Sequence, residues 1–262
     1  MQKRRVGSTD IEVSIIGLGT IKFGRNQGVK YPASFSLPTD EEIERLLNGA
    51  VELGVNLLDT APAYGTSEER LGLLLQGRRR DWIISTKVGE EFIEGESHFD
   101  FSPQAIQKSV ERSLRRLRTD YLDIVLVHSN GEDKRLIEEE NVFATLNALK
   151  QAGKIRAYGM STKTIAGGLL TIEMADIAMV AFNPEYVDER IVMAYAQQKN
   201  KSIFIKKALM SGHLQKMQSA DPVQDTMRFI FAEPGVTSVI VGTINPDHLQ
   251  KNVNSVLAAI TT

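Results

Sequence analysis

Apolar residues recur along this chain in two alternating rhythms. Short runs rich in Val, Ile and Leu appear as VSIIGLG (13–19), VNLLDT (55–60), WIISTK (82–87), DIVLVH (123–128), KIRAYGMS (154–161), IAMVAF (177–182), SIFIKK (202–207) and SVIVGT (238–243). Most are continuous rather than alternating in polarity, the pattern of strands buried on both faces. Between them lie stretches of helical period. TDEEIERLLNGAVELG puts Ile43, Leu46, Leu47 and Ala50 on one face, opens on Thr39 and Glu42 in capping-box spacing, and has Gly54 as its stop. SPQAIQKSVERSLRRL starts with Ser102 as cap and Pro103 at the first helical position, with Ile106, Val110, Leu114 and Leu117 as its buried stripe. NPDHLQKNVNSVLAAI repeats the arrangement with Asn245, Pro246, Leu249, Val253 and Val256. Eight strands, each followed by a helix, in 262 residues predict a single α/β domain over 1–262, a (β/α)8 TIM barrel. An open doubly wound sheet is the competing arrangement, but no GxGxxG follows the first strand and no composition break separates two halves.

Three connections run longer than a barrel needs: residues 20–38, 88–101 and 129–140, after the first, third and fourth strands. Each is expected over the C-terminal mouth, where long loops shape or cover a site.

Three successive strands also end on a titratable side chain. Asp59 ends the second, Lys87 the third and His128 the fourth, and Tyr64 follows Asp59 in the stretch LLDTAPAYG. Chemistry on such a barrel sits at this end of the strands, and strand spacing of about 4.8 Å brings the ends onto one pocket. Each residue alone has an ordinary structural account: a helix cap for Asp59, a snorkelling stem for Lys87, a core contact for His128, rim packing for Tyr64. Four at one end favour a joint role. A phenol with the ordinary pKa of about 10 is a poor proton donor at neutrality. A lysine ammonium beside it is expected to stabilise the phenolate and lower that pKa, while Asp59 keeps a buried Lys87 charged. His128 then donates or accepts a hydrogen bond at the substrate oxygen that Tyr64 protonates. The set delivers a proton to a carbonyl oxygen while something else attacks the carbon.

Composition narrows what that attacker is. Cysteine is absent, which excludes thiolate and cysteine–metal chemistry. His98, His128, His213 and His248 show no HxH or HxxxH spacing, so no metal site is expected. With no serine-nucleophile motif either, the expected attacker is hydride from a cofactor. An apolar share of 42% and a charged share of 24% suit a globular chain with a sizeable core. Net charge is −2, with no basic stripe beyond short clusters such as RRR at 78–80, so neither nucleic acid nor a membrane is expected as partner. The N-terminus lacks the apolar stretch of a secretory signal, and no apolar run approaches the ~20 residues of a membrane span. A cytoplasmic protein is the expectation.

DTAPAYG, ISTK and LVHS, in this order, resemble the signature blocks of the aldo-keto reductase superfamily. The similarity runs on through GKIRAYGMS at the fifth strand and KKALMSG after the seventh. The resemblance implies a (β/α)8 barrel whose bottom is closed by an N-terminal hairpin, with RRVGSTDIEVS as the candidate segment. It implies NADPH-dependent reduction of aldehydes and ketones, or the reverse oxidation, by a monomer acting on a small-molecule carbonyl substrate. It makes Tyr64 the general acid, Asp59 and Lys87 its tuning pair, and His128 the group that orients the carbonyl.

By the same resemblance, Gly19 and Thr20 line the cofactor, and Ser161 hydrogen-bonds the nicotinamide carboxamide. Thr162 follows where asparagine is common, Ala181 stands where many members carry glutamine (with Asn183 nearby), and Lys206 stands where a stacking tyrosine is usual. KKALMSGHL, with Leu209, Ser211 and Gly212, is expected to fold over the pyrophosphate, because small residues let backbone N–H groups reach phosphate oxygens. The last strand-to-helix turn, VGTINPDHLQKN, brings Gly242, Thr243, His248 and Asn252 to the adenosine end, where a helix N-terminus offers an anion site. Gly242 and His248 replace the lysine and arginine of NADPH-preferring members, although Lys251 is close. NADP(H) is the favoured cofactor and NAD(H) the alternative.

Two other readings stay open. One is a Schiff-base lyase using Lys87 or Lys206, which Asp59 opposes at Lys87. The other is a sensor or docking protein on a reductase-like scaffold. Specificity is expected from the three long connections and the C-terminal tail. The shortness of that tail, up to Thr262, predicts an open pocket and broad carbonyl reduction.

Overall fold

A computed structural model describes residues 1–29, 31, 32, 34–214 and 219–260. Two short strands, β1 (Lys3–Arg5) and β2 (Glu12–Ser14), pair as an antiparallel hairpin. Then come β3 (Ile16–Gly19), β4 (Leu57–Asp59), β5 (Ile83–Val88), a second hairpin of β6 (Glu90–Ile93) and β7 (Glu96–Phe99), and β8 (Leu122–His128), β9 (Ile155–Ser161), β10 (Ile177–Ala181), β11 (Ser202–Lys206) and β12 (Val236–Gly242). Outside the two hairpins the strands form a closed eight-stranded barrel in which order along the chain is order around the ring, with β12 pairing back onto β3. Each apolar run of the sequence supplies one barrel strand.

The helices are α1 (Ile21–Gly24), α2 (Asp40–Glu52), α3 (Ser67–Leu74), α4 (Pro103–Arg116), α5 (Asp133–Glu138), α6 (Val142–Gln151), α7 (Ile165–Met174), α8 (Arg190–Gln198), α9 (Pro222–Phe231) and α10 (Pro246–Ile260). Their starts follow from local chemistry. At α2 the Glu42 carboxylate accepts from the Thr39 N–H at 2.8 Å and Thr39 Oγ1 accepts from the Glu42 N–H at 3.2 Å, so the capping box is complete. Ser102 caps α4 by accepting from the Ala105 N–H at 3.3 Å.

Two layers of apolar packing result. The larger lies between barrel and helices, where Ile43, Leu46 and Leu47 of α2 and Ile106 and Val110 of α4 meet outward residues such as Leu58, Ile84 and Val125. The smaller fills the barrel interior with Leu57, Ile124, Leu126, Ala157, Ile177, Met179 and Phe204, and Val6, Ile11 and Val13 of the first hairpin join it. That hairpin closes the end where strands begin. Its Gly7 N–H donates to Ser202 Oγ at 2.8 Å, and Asn56, just before β4, donates to Glu12 O at 3.0 Å. With the bottom plugged, the inward polar residues at the opposite end have only the C-terminal mouth to open into.

The three long connections behave differently from one another. The first connection begins with α1, and its Arg25, Tyr31 and Pro32 line the mouth cavity. Residues 88–101 fold as the β6–β7 hairpin rather than as an irregular loop. Residues 129–140 contain α5 and line no part of the mouth cavity, contrary to the expectation for that segment. Instead, the Asp133 carboxylate accepts from the N–H groups of Lys163 and Thr164 at 2.8 and 2.7 Å. This insertion therefore anchors the loop that follows Ser161. The tail near Thr262 lies outside the described residues.

Tyr64 ends a 3-10 turn, Pro62–Tyr64, pressed against α1. Gly65 there has φ of +61°, and a Cβ at that position would meet Gly24 O at 2.1 Å. The left-handed backbone and the close approach both require glycine. Gly65→Ala is expected to destabilise the fold by more than ~1 kcal/mol, visible as a lower urea midpoint. An unchanged midpoint would show that the turn relaxes freely.

Candidate active site

The arrangement starts from strand register. Asp59 at the end of β4 pairs with Ser85 of β5, and Lys87 lies two residues further on the same inward face. The Lys87 ammonium donates to Asp59 Oδ1, Asp59 Oδ2 and Thr60 O, each at 2.8 Å. These acceptors are enough for the three hydrogens of an ammonium, and the Tyr64 side chain is a further hydrogen-bonding neighbour of the same group. Both partners are buried, Lys87 at 1% exposure and Asp59 at 3%. Burial alone pulls the lysine down, but Asp59 and Tyr64 oppose it and hold its pKa above the ordinary value.

Tyr64 lies beside this pair, with the Lys87 nitrogen 4.8 Å from its ring centroid. His128, from the end of β8, meets the phenol ring edge-on with centroids 6.3 Å apart. The phenol differs from the sequence expectation. Its burial raises the pKa, Lys87 lowers it and Asp59 raises it again, and the net direction is upward. Lysine proximity was expected to lower it, and desolvation outweighs that effect because the carboxylate neutralising Lys87 also faces the phenol. Tyr64 is thus a protonated donor at neutral pH.

His128 has a neighbour that no sequence signal marked. Its Nδ1 lies 2.5 Å from a Glu90 carboxylate oxygen, close but without the alignment of a regular hydrogen bond. Burial lowers the imidazole pKa against the pull of Glu90, and Lys87 and Lys206 lower it further. Burial would raise Glu90, yet His128, Ser97 and Arg25 bring it down to about 2. Glu90 opens the β6–β7 hairpin, which in the sequence reads only as a long connection. Arg25 ties the two sides of the mouth together: it stacks on Phe92 of that hairpin, 3.3 Å from the ring centroid, and donates to Ala63 O at 3.0 Å.

These groups open into a cavity of about 1240 Å³. All four candidate catalytic residues line it, and so do Gly19, Thr20, Ser161, Thr162, Lys206, Leu209, Ser211, Gly212, Gly242, Thr243, His248 and Asn252. Lys206 donates to Ser161 Oγ at 2.8 Å and to Thr162 O at 2.7 Å. Asn183 also lines the cavity and donates to Lys207 O at 3.1 Å. Ser211 adopts a left-handed conformation, φ 54°, in the turn at 210–212, the kind of local strain found at ligand clamps. Tyr31 and Pro32 reach across from the first connection to Gly242 and Gly212, where a Cβ would come within 3.1 and 3.2 Å of them. Glu189, wholly buried, also lines the cavity; burial raises its pKa to about 7. It too carried no sequence signal, being an acid just before a helix.

The cavity has features that suit a nicotinamide dinucleotide. Thr162 Oγ1 is buried without a hydrogen-bond partner, and the glycines at 19, 212 and 242 leave room for close approach of phosphate and ring atoms. The anion clamp at the far end is weak. Asn245 Oδ1 already accepts from the Asp247 and His248 N–H groups at the start of α10, at 2.8 and 3.4 Å. Lys251 is drawn to Asp221 at 3.6 Å. Among the described residues, no cluster of three or more His, Asp or Glu has the geometry to hold a metal ion.

Comparison with known proteins follows this geometry. A sequence model of the aldo/keto reductase family matches residues 15–226. A solved structure from Pseudomonas aeruginosa, assigned to the aldo-keto reductases, is 48% identical, with 98% of this chain and 95% of that chain covered and a TM-score of 0.90. The uncharacterized oxidoreductase YqkF of Bacillus subtilis (strain 168) is 27% identical over 297 residues, 97% of this chain and 91% of its own length. The NADH-specific methylglyoxal reductase of Escherichia coli (strain K12) is 34% identical over 172 residues, 61% of this chain and 51% of its own length.

Glu90 ties this site to acid stability. Its folded pKa of about 2 lies below the 4.5 of a free glutamate, so its charge stabilises the fold above pH ~4.5 and that contribution is lost as pH falls towards 2. Glu90→Gln is expected to be less stable than wild type at neutral pH, with the gap closing across that acid window in urea titrations. A gap independent of pH would remove Glu90 from the electrostatic set.

Proposed function

The chain belongs to the aldo/keto reductase family of oxidoreductases, and from that premise we propose that it is an NAD(P)H-dependent carbonyl reductase, reducing aldehydes and ketones to alcohols reversibly. The observation that carries this reading is the Lys87 ammonium, saturated by Asp59 and Thr60 and set beside the Tyr64 phenol.

Bound NAD(P)H supplies the hydride. The protein's own residues handle the oxygen. Tyr64, kept protonated by its surroundings, donates its hydrogen to the carbonyl oxygen as negative charge develops there. Lys87 acts at that moment, because its fixed charge stabilises the phenolate that the transfer leaves behind. Asp59 prevents Lys87 from losing its own proton in a dry pocket. His128, with Glu90 against Nδ1, presents Nε2 to the substrate side and orients the carbonyl. Ser161 and Thr162 would hold the carboxamide end of the cofactor through their hydroxyls, and the turn at 207–212 would hold its pyrophosphate.

NADPH is the favoured donor, with NADH accepted. The weak clamp at α10 supports only slight discrimination, since a 2′-phosphate would meet N–H groups already engaged by Asn245 and a lysine paired with Asp221. The Escherichia coli relative is named for NADH specificity.

Two measurements test this. Tyr64→Phe is expected to cut reduction of a panel of aldehydes by about 10²–10⁴-fold, the usual worth of a general acid, with dinucleotide affinity by calorimetry almost unchanged. Equal turnover removes Tyr64 from its role. Separately, the dissociation constants of NADPH and NADH are expected to lie within about tenfold of each other, a difference of about 1.4 kcal/mol. A preference of several hundredfold would mean that a cation reaches the 2′-phosphate after all.

A further inference from the structure

Two lysines open into the same cavity with different complements of acceptors. Lys87 has three, two of them on a carboxylate, which is the full complement of an ammonium. Lys206 has two, Ser161 Oγ and Thr162 O, and neither is charged. A neutral amine has two hydrogens to give and one lone pair left over. The Lys206 site is built to that count, and Lys206 is among the residues that line the open cavity.

The surroundings act in the same direction. Burial is the largest influence and brings the Lys206 pKa to about 7; Lys207 beside it and Lys87 across the cavity lower it as well, while Asp133 and Glu189 oppose them. His128 feels the same amine from the end of β8. Ser161, the acceptor, stands directly opposite His128 in the β8–β9 register. The amine, which comes from β11, is therefore tied to β9, the neighbour of the strand that carries the carbonyl-orienting His128.

We propose that Lys206 is a second reactive centre, a nucleophilic amine that captures small, unhindered aldehydes as an imine when no dinucleotide fills the cavity. This rests on the reading that aldehydes enter the cavity. The Lys206 lone pair attacks the carbonyl carbon to give a carbinolamine, and the C–O bond then breaks. Both amine hydrogens leave with that oxygen as water, so nothing is oxidised or reduced. Lys87, with every hydrogen bound and a carboxylate holding its charge, does not compete.

The test uses nucleotide-free full-length protein, propionaldehyde and sodium cyanoborohydride, which reduces the imine to a stable propyl-lysine located by peptide mass spectrometry. Surface lysines serve as the internal reference. The expected result is Lys206 labelled well above them, with about tenfold more adduct at pH 8 than at pH 6 and a plateau above that, while surface labelling keeps rising. Saturating NADP+ is expected to protect Lys206, and Lys206→Arg to lose the adduct. Labelling of Lys206 no greater than that of surface lysines, or labelling at Lys87 instead, overturns the proposal. Carbonyl reduction is assayed separately with dinucleotide. Normal turnover without Lys206 labelling therefore sinks this inference alone, and labelling without turnover sinks the reductase reading alone.

Discussion

A charged amine cannot sit in a closed protein interior without a carboxylate, and in this molecule that requirement organises the mouth of the barrel. Lys87 is almost wholly buried, and its hydrogens are consumed by Asp59 and one main-chain carbonyl. Removing one partner from such a pair typically costs about 3–5 kcal/mol, because the other is left charged and unsolvated. The pair is thus a structural commitment before it is a chemical one. It is made by neighbouring strands whose register sets Asp59 beside Ser85, which makes it a product of the barrel rather than of any loop.

Around that fixed pair the site is finished by segments that the barrel itself does not need. Glu90 comes from an inserted hairpin and faces His128. Arg25, from the first connection, links the hairpin to the Tyr64 turn. Asp133, in a third insertion, holds the loop after Ser161 and so fixes the two acceptors on which Lys206 rests. The insertions divide the work: one lines the mouth, one supplies a carboxylate, and one acts from behind. Length alone made them look alike.

The electrostatics of the cavity show how far pairwise reasoning carries. Lysine beside tyrosine is a sound argument for a more acidic phenol, and Lys87 does pull in that direction. Burial and the Asp59 carboxylate pull harder the other way, so the phenol at rest keeps its hydrogen. For a proton donor this is the useful state. The lysine matters most after the transfer, when there is an anion for it to stabilise. The same cavity holds Lys206 close to neutrality and Glu189 above the usual carboxylate range, so its acid–base character belongs to the enclosure as a whole.

The sequence by itself determined the barrel, the helix starts and the identity of the polar strand ends. Continuous apolar runs of strand length, Thr39 with Glu42, and Ser102 with Pro103 are local signals whose physics does not depend on distant residues. Asp59, Lys87 and His128 were legible for the same reason, since a barrel sends the ends of successive strands to one rim. Only the tertiary structure decided what those residues experience. Glu90 against His128, the anchoring role of Asp133, the count of acceptors at Lys206 and the direction of the Tyr64 shift all depend on groups far apart in the chain. They depend also on how much water the fold excludes, and exclusion of water is a property of closed volumes that no short stretch of sequence carries.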